Sequence, residues 1–145
     1  MSKQVLSTEQ MRHLQELGVD TSEASAIIYK ISETETYCGY AREVVLVEGF
    51  VEDYIDKVET FTLQDIIDKL PCFIDTYVFT LQKLASTYTC LYMEPYSRSI
   101  LFLKENKELI DAAYDMLCWC IENGYILKRV NNESENKRNW RSNRC

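Results

Sequence analysis

The 145-residue sequence predicts an α+β fold. An antiparallel sheet of about 5–6 strands packs against a long, buried C-terminal helix, with a capped N-terminal helix and a short middle helix. Three observations predict it. Two helix starts, at Ser7 and Thr62, carry full capping signals. β-Branched and aromatic runs fall in groups between helical segments rather than in strict alternation with them. Leu109–Ile121 is apolar apart from Asp111 and Asp115.

Leu6-Ser7-Thr8-Glu9-Gln10-Met11 opens the first helix. Ser7 and Gln10 stand at the two positions of a capping box, and Leu6 and Met11 at those of a hydrophobic staple. Met11, Leu14 and Leu17 repeat at helical spacing, and Gly18 supplies the left-handed stop. Ala26–Ile31 reads as a strand with Ile27, Tyr29 and Ile31 on one face. Tyr37–Tyr40 pairs back across a polar connection, and Val44–Val47 makes a further strand. From Glu48 to Glu59 the acidic chain reads as a loop or a poorly formed helix. Thr62 caps the middle helix, Asp65 sits at N3, Phe61 can staple to Ile66, and Pro71 ends it. Thr76–Leu84, Thr87–Met93 and Ser99–Lys104 are three more strands, the last two joined by a turn over Glu94-Pro95-Tyr96-Ser97-Arg98. Asn106 can cap the final helix, which runs to about Asn123 with Gly124 as its C′ residue. Its polar positions Asp111, Asp115 and Glu122 fall on one narrow stripe, so most of its circumference is buried.

Composition bounds the function. Four Gly and two Pro beside 46% apolar residues exclude collagen-like, low-complexity and wholly disordered chains. The net charge is −7, unevenly placed. Residues 128–145 hold six basic residues against Glu133 and Glu135, making +4, which leaves −11 on the remainder. Residues 1–127 therefore read as one globular domain and 128–145 as a polar, basic, disordered tail. Arg138, Trp140 and Arg141 are the tail residues that could touch nucleic acid or an acidic partner; elsewhere nucleic acid is not expected. The polar start lacks a secretory signal, and no stretch is long enough for a membrane span. The six cysteines accordingly read as reduced thiols in a cytoplasmic protein.

No catalytic, metal or cofactor site is expected. The single histidine, His13, has no nucleophile beside it in the sequence pattern. Neither a nucleophile elbow nor a phosphate-binding glycine loop can be built from this sequence. There is no C-x-x-C, and Cys118-Trp119-Cys120 on a helix points its sulfurs apart. The acidic stretch lacks the ligand order of a calcium loop. Asp111 and Asp115, one turn apart, are the best carboxylate pair for acid–base or metal-assisted hydrolysis, set against the plain reading of a solvated helix stripe.

Ten tyrosines are the most distinctive feature. Tyr suits strands, and it also suits interfaces and stacking surfaces. On the strand at 87–93, Cys90, Tyr92 and Glu94 share one face and Leu91 and Met93 the other. If the apolar face covers the long helix, the tyrosine face is exposed. Tyr29, Tyr77, Tyr88, Tyr92 and Tyr96 are then the candidate ligand or partner surface.

Residues 61–71 and 109–124, with the opening Leu6–Thr21, resemble a group of short uncharacterised proteins of gut Bacteroidales, their phages and integrated elements. The resemblance spans the helices and leaves the strands between them divergent. It implies a cytoplasmic accessory protein of a bacterium or its phage and brings no catalytic residues with it. The function expected is non-enzymatic: binding of a protein partner or a second copy as a homo-oligomer, with an acidic decoy in phage–host conflict as one form. The alternatives are a nucleotide-type small-ligand binder and a metal-dependent hydrolase using carboxylates.

Overall fold

The computed structural model describes residues 3–30, 36–40 and 56–126, with side chains over 3–28 and 58–126. Over these it is α+β, with three helices and two antiparallel sheets. Helix α1 spans Thr8–Glu16, followed by strands β1 (Ala26–Lys30), β2 (Thr36–Tyr40) and β3 (Asp56–Thr60). Helix α2 (Leu63–Lys69) leads to β4 (Phe73–Ile74), β5 (Tyr77–Lys83), β6 (Tyr88–Met93) and β7 (Ile100–Asn106), and α3 covers Leu109–Glu122.

The helix ends follow local chemistry. The Ser7 hydroxyl accepts from the Gln10 N–H at 3.2 Å, and the Gln10 side chain accepts from the Ser7 N–H at 2.9 Å. Thr62 and Asp65 repeat the exchange at α2. Each reciprocal pair satisfies two backbone donors that a helix start otherwise leaves open. The staple partners Leu6 with Met11 and Phe61 with Ile66 are all buried. At the other ends, Gly18 and Gly124 take positive φ of 93° and 78°. Val19 N–H donates to the Leu14 carbonyl and Tyr125 N–H to the Cys120 carbonyl, which closes a Schellman motif at each helix. One cap differs from expectation. Asn106 is the last residue of β7, and its side chain accepts from the Glu108 N–H at 3.0 Å; the N-cap of α3 is Glu108, without a side-chain cap bond. The strand runs two residues further than its pattern suggests, so Asn106 turns the chain instead of capping the helix.

The single sheet of 5–6 strands is replaced by two smaller ones, in the orders β2-β1-β3 and β4-β5-β6-β7. The reason is pairing capacity. β1 has both edges occupied, by β2 and β3, and the capped helix α2 then carries the chain away before the second meander begins. The acidic stretch ends as strand β3, not as a loop: Thr60 is fully buried and its hydroxyl donates to the Leu6 carbonyl at 2.7 Å. Val44–Val47 and residues 48–55 lie outside the described residues, as does the tail from residue 127. β4 is new. Two residues pair with β5 across a turn in which Asp75 has φ 56°.

The core forms where α1, α2 and α3 meet the four-stranded sheet. Ile110, Ala113, Met116, Leu117, Cys120 and Ile121 of α3 are buried against Leu6, Met11, Leu14, Phe61, Ile66, Cys90 and Tyr92. Most of the α3 circumference is buried, as expected from its sequence; Asp111, Asp115 and Glu122 lie on the less buried side, together with partly buried Leu109, Tyr114 and Trp119. Asp111 on that side holds the start of the chain: Lys3 Nζ lies 2.7 Å from its carboxylate and Gln10 donates to it at 2.9 Å. No described helix is long and apolar enough to cross a membrane.

Candidate functional site

The two faces of the four-stranded sheet are settled by β6, its inner strand. Side chains alternate along a strand, and Cys90 and Tyr92 belong to the buried cluster beneath α3. Thr89, Leu91 and Met93 therefore point to the other face. This reverses the expectation for Tyr92, whose ring is fully buried rather than presented to a partner. Its hydroxyl donates to the Pro71 carbonyl at 2.7 Å, Cys120 Sγ is 3.9 Å away, and the Phe79 ring centroid lies 5.5 Å from its own. A tyrosine is a good core residue once its hydroxyl is satisfied, and Pro71 supplies the acceptor.

The other candidate tyrosines do not gather into one surface. Tyr77 is half-buried and packs against the core. Tyr88 is half-buried at the far end of β6, with Lys83 Nζ 6.0 Å from its ring centroid. Tyr96, at the tip of the β6–β7 loop, is 96% exposed. Tyr29 lies on β1 in the other sheet, and its side chain is outside the described ones, as are Arg138, Trp140 and Arg141. A stacking site built from these tyrosines therefore loses Tyr92 outright.

What faces outward is mostly apolar. Cross-strand register aligns Phe73, Val78, Met93 and Ile100 in one row across all four strands. Thr80, Leu91 and Leu103 make the next row. Phe73, Ile100 and Leu103 are 47%, 48% and 44% exposed, and α3 rests on the opposite face. Below these rows come Gln82, Thr89 and Glu105. Leu91, in the middle, is nonetheless buried. Thr89 is buried as well, so the exposed apolar groups of this face, Phe73, Ile100 and Leu103, stand on its edge strands β4 and β7; exposed apolar groups on a sheet mark an interaction surface.

The β6–β7 loop extends that row. Glu94 accepts from the N–H groups of Tyr96 and Ser97 and from the Ser97 hydroxyl. The Ser97 hydrogen bonds hold the Glu94 carboxyl below its usual range. Arg98 takes φ 59° and returns its N–H to the Glu94 carbonyl at 2.8 Å. The loop is thus tied from within and presents Tyr96 next to the end of the sheet where Met93 and Ile100 lie.

The reactive groups are placed otherwise. Burial pushes the Cys118 thiol up to about 11 and, with Asp115 as a lesser cause at Cys90, the Cys90 and Cys120 thiols to about 12. Such thiols stay protonated and are poor nucleophiles. Cys72 departs from the expectation of six reduced thiols: it is disulfide-bonded, whereas Cys90, Cys118 and Cys120 are free. The two candidate carboxylates diverge. Burial raises the Asp111 carboxyl, but the hydrogen bonds from Lys3 and Gln10 outweigh it and leave it below its usual range. Asp115 is raised, by burial first and by Asp111, against the opposing charge of Lys104. Asp111 is thereby committed to Lys3. Among the described residues, no group of three or more His, Cys, Asp or Glu could hold a metal ion. His13 is half-exposed on α1, 3.9 Å from Glu16.

The sequence pattern does not by itself mark Phe73, Val78, Met93, Ile100 and Leu103 as a shared outer face. The signal available was parity: Leu91 and Met93 oppose Tyr92, so fixing one face fixes the other. No protein-family model, curated protein or solved structure matches the chain.

Proposed function

We propose that the chain is a non-enzymatic interaction protein that binds a protein partner through the outer face of its four-stranded sheet. The observation that carries this is the cross-strand row Phe73–Val78–Met93–Ile100, with Phe73 and Ile100 each nearly half exposed. Leu103 and the fully presented Tyr96 extend it. Exposed apolar side chains with an aromatic anchor at the margin are the composition of a protein-binding patch. The acidic body, −11 over residues 1–127, supports a partner of basic character, and occupation of a basic groove is the specific form of this reading. The resemblance of the helical segments to short proteins of Bacteroidales and their phages supports an accessory role in a bacterium or phage. The cytoplasmic location rests on the sequence, and the disulfide at Cys72 is the observation against it.

The test is site-specific photo-crosslinking in cells, with the reactive side chain at position 100 or, as a control on α1, at exposed position 9. A discrete adduct from position 100 whose added mass is not that of a second 17.0 kDa copy, absent from position 9 and lost when Phe73→Asp is added, supports the reading; an adduct with a second copy alone counts against it. Adducts that do not depend on position sink it. The basic-partner form further expects the adduct to fade as salt rises.

A further inference from the structure

We propose that the edge of β7 left unpaired among the described residues pairs with β7 of a second copy, joining two four-stranded sheets into one eight-stranded sheet about a two-fold axis. At the other edge β4 has two residues; β7 has seven, and among the described residues only β6 pairs with it. A long edge of unpaired N–H and C=O groups is a template for strand addition. β7 carries no proline, a single lysine (Lys104), and exposed Ile100 and Leu103.

Symmetry narrows the register. An axis normal to the sheet keeps each side chain on its own face, so the pairing must centre on a residue. Centring on Lys104 sets two ammonium groups opposite each other, and centring on Glu105 two carboxylates; like charges directly opposite are destabilising. Centring on Phe102 brings in Leu101, which the bulge between Tyr92 and Met93 leaves without a cross-strand partner. Centring on Leu103 avoids both like-charge contacts and moves Leu101 away from the centre, opposite the partner's Glu105. It sets Leu103 against itself and Lys104 opposite the partner's Phe102. Within one chain Lys104 Nζ already lies 5.3 Å from the Phe102 ring centroid, so the register keeps the same cation–π chemistry across the seam.

The helices fit the same arrangement. α3 rests on β6 and β7 equally, and strands lie about 4.8 Å apart. Across a β7–β7 seam the two α3 helices then run about 10 Å apart, within reach of the 8–10 Å of packed helices. The side chains over that seam are aromatic: Trp119 stacks on Phe102 at 4.1 Å, and Tyr125 lies 5.2 Å from Trp119. Partly buried aromatics of this kind are common interface anchors. Each chain carries −7, so association works against repulsion, and added salt strengthens it. That sign is opposite to the one for a basic partner. The pairing shares Ile100 and Leu103 with the partner-binding face but does not rest on that reading.

Sedimentation equilibrium of the full chain tests it. The expected species has twice the 17.0 kDa chain mass and dissociates less as salt rises. Leu103→Lys and Leu103→Glu each weaken association at least about tenfold with circular dichroism and melting midpoint unchanged. An equal mixture of the two restores it, because Lys then faces Glu. Under mild oxidation Leu103→Cys cross-links two copies, whereas Glu105→Cys, which would face Leu101, does not. A monomer at every concentration, as when the edge is covered by the chain's own residues, overturns the proposal. So does a dimer that neither charge variant weakens.

Discussion

The hydroxyl of Tyr92 donates to the carbonyl oxygen of Pro71 at 2.7 Å. This one bond joins the inner strand of the four-stranded sheet to the residue that ends α2. It also favours the observed orientation of the sheet, because a satisfied hydroxyl lets the ring lie under α3. Leu91 and Met93 are then left on the outer face, and the apolar rows there follow from that orientation.

Tyr92→Phe removes the bond and leaves the buried Pro71 carbonyl without that donor. The expected loss is about 1–3 kcal/mol of folding free energy, read from urea denaturation with an unchanged slope. A neutral substitution would mean that the hydroxyl is hydrated rather than buried.

Replacing either member of a capping pair acts locally. Thr62→Ala is expected to destabilise by about 1 kcal/mol, and Thr62→Ser to restore most of it. These elements were legible in the sequence because everything they require lies within five residues: Ser7 with Gln10, Thr62 with Asp65, and the staples beside them. The orientation of the sheet was not legible. Leu91 and Tyr92 both suit a pleated strand, and the acceptor that favours Tyr92 inside lies 21 residues away in sequence. β4 is too short for a period-two pattern, and acidic neighbours mask the strand character of β3. The apolar patch is a product of register across four strands, which no single segment displays.

The Lys3–Asp111 pair gives a pH dependence with a definite sign. Asp111 has a folded-state pKa below its ordinary value of 3.8. Its contribution is therefore complete above that value and is lost as the pH falls through the folded-state pKa. With the two side chains 31% and 21% exposed, Lys3→Met should cost less than about 1 kcal/mol at neutral pH. The difference from the parent chain should vanish in strong acid. A difference that persists there would place the effect in packing rather than in the ion pair.

Asp115 has the opposite sign. Its folded-state pKa is raised, so the native state holds its proton more tightly and stability falls as the pH climbs past the ordinary carboxylate range. Asp115→Asn should be more stable than the parent chain at neutral pH and should match it in acid. Denaturation curves at the two pH values check this.

Thiol chemistry separates the cysteines. In the native chain at mildly alkaline pH, Cys90, Cys118 and Cys120 should resist alkylation, and in denaturant all three should react. Cys72 should react only after reduction, as its disulfide requires. Peptide mass spectrometry with and without reductant reads all four at once. Recovery of Cys72 as a free thiol from rapidly quenched cells would show that the bond does not form in the compartment where the protein works.

The proposed binding face exists only if Tyr92 lies inside and apolar side chains outside on the four-stranded sheet. Nitration of the native protein, mapped by peptide, tests this most directly. Tyr96 should be modified rapidly and Tyr92 should stay unmodified until the protein is unfolded. Equal rates at Tyr92 and Tyr96 would turn the sheet over and remove the proposed binding face.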